Sequence, residues 1–99
     1  MKPLFIPLKT EYYRQFEAGT KTHEYRQYGK FNERTCAIGR PVILRRGYST
    51  PDILSGTIVS FERIRRRDLP DPATYNSWLD CYGPEADDIA DIRIEVKRG

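Results

Sequence analysis

Gly19-Thr20-Lys21-Thr22-His23-Glu24-Tyr25-Arg26 is the stretch on which the fold turns. It follows a short helical segment and reads as the strand after it. Side chains alternate faces along a strand. Lys21, His23 and Tyr25 therefore point one way, and Thr22, Glu24 and Arg26 the other. Lys21, Thr22, His23, Glu24 and Arg26 crowd polar or ionisable groups into six positions. That pattern suits a solvated edge strand whose charges keep it soluble, or a strand that carries a site.

Upstream, Leu4-Phe5-Ile6 lies between Pro3 and Pro7, as in a short edge strand. Thr10 is placed to cap a helix with Glu11 in its first turn. Tyr12, Tyr13 and Phe16 give that helix an apolar face, and Gly19 ends it. Downstream, Gln27 to Gly39 reads as a polar loop. Pro41 to Gly47 reads as a buried strand emerging into a basic turn at Arg45 and Arg46, and Tyr48 to Asp52 as a further loop. Leu54 to Ile64 is the longest strand, with a bulge or bend at Gly56. Asp71-Pro72 opens a second helix that ends at Gly83-Pro84. Ile92, Ile94 and Val96 alternate with polar residues in a terminal strand over 89–96. The expected fold is α+β: a small mixed β-barrel of about five strands with two short helices, one domain over residues 1–99.

No apolar run approaches membrane-spanning length, and no export signal follows Met1, so the expected location is cytoplasmic. Cys36 and Cys81 are far apart and are expected to be reduced thiols. With the single histidine they form no metal-ligand spacing, so neither a metal nor a cofactor is expected. The net charge of +3 conceals an asymmetry. Residues 1–67 hold 14 Lys and Arg against 6 Asp and Glu, and residues 68–99 hold 3 against 8. An anionic partner belongs on the first part. Arg63, Arg65 and Arg67 would share one strand face, as a phosphate rail or as a solvated end neutralised by Asp87, Asp88 and Asp91.

The series Gly19, Lys21, Glu24, Arg26, followed by Ile38, Gly39, Val42, Leu44, Arg45 and Gly47, resembles the ASCH family, whose fold is the PUA-like barrel. The likeness covers residues 3–64 well and the remainder loosely. It implies a basic cleft between barrel and helices that takes RNA, a nucleotide or a modified nucleoside. In such a cleft Lys21 would face phosphate, and Arg26, Arg45 and Arg46 would add cationic contacts. Glu24 would accept from an exocyclic amine or pair with Arg26, and Tyr25, Tyr28 or Tyr48 would stack on an unpaired base.

Two other functions remain open at this level. Relatives of this kind include amidohydrolases that deacetylate acetylcytidine with a lysine where Lys21 stands and a threonine nucleophile three residues later. Here that position is Glu24, which cannot serve as the same nucleophile. Lys21 and Glu24 would instead be a catalytic pair in which Glu24 activates water and Lys21 stabilises the oxyanion. Other relatives are ribonucleases. His23 could join in such chemistry, but the sequence identifies no orienting partner for it. The last alternative is a protein-interaction adaptor of the transcription-coactivator type, with Tyr75, Trp78 and Tyr82 as its apolar patch.

Overall fold

The computed structural model describes residues 2–48 and 51–98. Strand β1 (Leu4–Leu8) leads into helix α1 (Thr10–Ala18), then β2 (His23–Gln27), α2 (Lys30–Thr35), β3 (Pro41–Arg46) and β4 (Ile53–Arg65). A single 3-10 turn (Arg66–Asp68), α3 (Pro72–Tyr82) and β5 (Asp88–Val96) complete the chain. The five strands form one mixed sheet in the order β1-β3-β4-β5-β2, curled into a half-barrel. The β1–β3 pair is parallel and the other three are antiparallel. The first 27 residues thus supply both edges of the sheet, with α1 as the crossover between them.

Period-two burial builds the core. Ile6 and Leu8 of β1, Val42 and Leu44 of β3, Ile58 of β4, and Ile92 and Ile94 of β5 all point inward. Tyr13 and Phe16 project from α1 onto that face, one helical turn apart. Gly19 ends α1 in the left-handed conformation, as its sequence position predicts. Asp71 caps α3 by accepting from Thr74 N at 2.7 Å, with Pro72 in the first turn.

Several expectations need correction. Lys9, not Thr10, is the N-cap of α1, and no side chain caps that end. The segment read as a polar loop contains the six-residue α2, which is too short to show a helical period. Lys21 and Thr22 precede β2 rather than lying within it. Arg67 leaves the strand for the 3-10 turn, so no run of three arginines shares a face. Ser49 and Thr50 of the expected loop lie outside the described residues.

The irregularity of β4 lies between Ile58 and Ser60, not at Gly56. Gly56 is required for a different reason. A β-carbon there would sit 2.8 Å from the Glu95 carbonyl oxygen and 3.1 Å from Ile94 Cγ2. Because the obstacle is the backbone of the partner strand, Gly56→Ala is expected to cost about 1–3 kcal/mol, measured as a lowered urea midpoint with an unchanged m-value.

The two sheet edges come close without forming a ladder. Arg26 on β2 spans to β1 through a bond from Nη2 to the Pro7 carbonyl at 3.1 Å. Beneath that bridge lies a cavity of about 130 Å³ walled by β1, β2 and α2.

Candidate functional site

A cavity of about 380 Å³ opens where the edge strands, α1 and α3 converge. Its walls are the Pro7–Lys9 segment, Tyr12 and Gln15 of α1, then Lys21, Glu24, Tyr25 and Arg26, with Tyr48 and one face of α3. This volume is in the range of small-ligand sites, roughly 300–1,000 Å³. The lining is that of such a site too, with aromatic walls and a few convergent charges.

Among the described residues Glu24 is the one buried acidic or basic side chain, at 8% exposure. Its inward direction follows from β2 alternation, and burying it requires a cation. Arg26, two residues on and on the same face, supplies one. Its Nε and Nη2 both donate to Glu24 Oε2, at 3.3 and 3.1 Å. Glu24 Oε1 has no hydrogen-bond partner among the described residues.

Lys21, just ahead of β2, sets its ammonium against the Tyr25 ring. Its Nζ sits 5.4 Å from the centroids of Tyr12 and Tyr25 and 5.7 Å from that of Phe16. No acceptor reaches it among the described residues. Desolvation pushes its ammonium below the usual lysine range, while the charges of Glu24, Asp71 and Asp91 pull the other way. The three rings also favour the cation. Burial, with Asp91 and Asp71 adding to it, pushes the Tyr25 phenol up to about 12, so it stays a neutral hydrogen-bond donor.

His23 does have an orienting partner, contrary to the sequence-based expectation. Its Nδ1 lies 2.6 Å from Asp91 Oδ1, and its ring stacks on Tyr25 at 5.9 Å. Asp91 is the cross-strand neighbour of Tyr25 on β5 and so stands diagonal to His23. The strand register creates this contact, and the local sequence gives no sign of it.

The other expected site residues divide. Tyr25, Arg26 and Tyr48 line the cavity, with Tyr48 on the rim at 84% exposure. Arg45 and Arg46 do not line it. Arg45 lies over the Phe5 ring at 5.5 Å and donates to the Tyr48 carbonyl, whereas Arg46 pairs with Asp52 at 2.8 Å. Tyr28 lies under Arg63 and donates to Glu33. Arg63 in turn makes a two-pronged pair with Asp88, which holds that carboxyl below its usual range, and Asp87 accepts from Arg66 N. The neutralised end thus describes Arg63 better than the phosphate rail does.

Sequence reasoning missed Lys9 and placed the α3 aromatics elsewhere. Trp78 is buried, donates to the Ala86 carbonyl and packs on Tyr82 at 4.2 Å. Both rings face the cavity. Cys81 stands between them and Lys9 as a free thiol, and Cys36 is free and buried.

No family model matches the sequence, and no curated protein matches it. Among solved structures the chain is similar to the crystal structure of the hypothetical protein PH0355. That likeness has a TM-score of 0.73 at 17% identity, over 97% of this chain and 100% of the other. At that identity it speaks to the fold.

Proposed function

We propose that this chain is an ASCH-type, PUA-like domain that binds RNA or a nucleotide by taking one unpaired base into the 380 Å³ cavity. The observation that carries this reading is the Lys21 ammonium, caged by three rings, lacking an acceptor and sharing the cavity with Glu24. An ion left that way lacks what a ligand oxygen or ring nitrogen would supply. The rings of Tyr25 and Tyr82, the latter backed by buried Trp78, suit stacking, the usual way proteins hold splayed-out bases. Lys9, on the cavity wall, can meet a flanking phosphate.

Trp78, the one tryptophan of the chain, provides the test. Single-stranded RNA is expected to quench its fluorescence, with an affinity that falls steeply as salt is raised. Lys21→Met is expected to weaken binding at least tenfold without loss of stability. The sign follows from linkage. The folded-state pKa of Lys21 lies below its unfolded value of 10.5. The desolvation penalty is therefore present in full below the folded pKa and fades only as pH rises toward the unfolded one. At neutral pH a methionine removes that penalty, so the melting temperature stays level or rises while binding is lost. A Lys21→Met protein that binds RNA normally would end this reading.

A second reading draws on the lowered Lys21 ammonium beside a buried carboxylate, a pairing typical of acid–base sites. It is hydrolysis of an acylated nucleoside or of RNA, with Glu24 positioning water and Lys21 stabilising the oxyanion. The two bonds from Arg26 to Glu24 weigh against it, because they already engage that carboxylate in a part-buried ion pair. Release of cytidine from acetylcytidine by the wild type, lost in Glu24→Gln, would move it to the front.

A further inference from the structure

We infer that the base held in this cavity is guanine, read along its Watson–Crick edge by Glu24 and Lys21; this rests on the base-binding reading above. Arg26 Nε and Nη2 both end on Glu24 Oε2 and occupy the two acceptor positions of that oxygen. Oε1 accepts from none of the described residues, and Glu24 is part of the cavity wall. A carboxylate that is 8% exposed is best satisfied by two ligand donors, not one. Lys21 is a donor only and needs an acceptor beside them. Glu24 and Lys21 share the cavity wall, so together they suit a ligand that brings two donors and an acceptor.

Among the four RNA bases only guanine offers all three on one edge, as the N2 amine, the N1–H and the O6 carbonyl. Cytosine and adenine present one amine next to a ring nitrogen whose lone pair would face the carboxylate. Uracil presents a single N–H between two carbonyls. Each of these leaves an Oε1 position unmet or sets lone pair against lone pair, and a buried site rejects ligands that leave its polar groups unpaired. Arg26 keeps Glu24 aimed, and Tyr25, neutral with its phenol pushed up to about 12, adds a flat apolar wall without a competing charge.

The test is a Trp78 fluorescence titration of the wild-type protein with GMP, AMP, CMP and UMP. Two analogues complete the set: IMP, which lacks the N2 amine, and the monophosphate of 1-methylguanosine, whose N1–H is blocked. The expected order is GMP first by at least tenfold over AMP, CMP and UMP. IMP falls between, and the 1-methyl compound binds no better than AMP. Glu24→Gln is expected to level the series, and the wild-type series stands even where that variant folds poorly. Binding without preference, or with CMP, AMP or UMP ahead, would overturn the guanine assignment and leave a base-binding cavity in place. No quenching by any nucleotide or by RNA would overturn both.

Discussion

Arg26→Leu is expected to destabilise the fold by about 3–5 kcal/mol, the range seen when one partner of a buried ion pair is removed. For a domain of this size that lowers the melting temperature by more than about 10 °C. Two losses combine. Glu24, at 8% exposure, is left without its cation, and the bond from β2 to the Pro7 carbonyl disappears. The Arg26 side chain is itself 36% exposed, so water can enter and the lower end of the range is expected. Glu24→Leu combined with Arg26→Leu separates the two contributions. With no charge left to strand, the double variant should be more stable than Arg26→Leu alone, and a thermal-denaturation cycle over the four proteins measures the coupling. A double variant as unstable as the single one would mean that the link to β1, not the stranded carboxylate, dominates.

Phe16→Ala is expected to cost about 3–5 kcal/mol, because the ring is fully buried and its removal leaves a cavity that the sheet cannot close. Its second consequence is functional. Phe16 is one of the three rings around Lys21 Nζ, so the ammonium loses part of its cage and gains access to water. Chemical denaturation reports the first effect. NMR titration of the Lys21 side chain reports the second, as a move back toward the ordinary lysine range. Phe16→Leu, which keeps most of the volume, should recover much of the stability but not the cage.

Strands β1, β3 and β5 were legible because burial follows a period of two with apolar inward residues: Ile6 and Leu8, Val42 and Leu44, Ile92 and Ile94. Both longer helices announced their ends, through Gly19 for α1 and through Asp71, Pro72 and Gly83 for α3. The helix α2 was not legible, since six residues make less than two turns. Half of the cavity comes from one short segment, because Lys21, Glu24, Tyr25 and Arg26 lie within six residues, but strand alternation alone sets Lys21 and Tyr25 opposite Glu24 and Arg26 and does not foretell that all four line one cavity. The other half is supplied by α3, some fifty residues away, where the pattern of Trp78 and Tyr82 reads equally well as core or as surface patch. Arg45 and Arg46 were expected in the cleft from the family likeness and from their charge. Their strand position turns Arg45 to the outer face, and Asp52, six residues on, claims Arg46. The Asp91 partner of His23 depends on a cross-strand register that no local pattern encodes.

A closed barrel fixes its circumference through hydrogen-bonded register at every seam. Here, among the described residues, one seam is clasped instead by the Arg26 guanidinium reaching from β2 to a proline carbonyl on β1, and that proline has no N–H to begin a ladder. The width of the mouth is therefore governed by side-chain torsions rather than by strand register. The residue that sets it is also the one that aims Glu24. Compliance of the rim and recognition at its floor are thus coupled through one side chain, so a guest that draws on Glu24 also acts on the clasp.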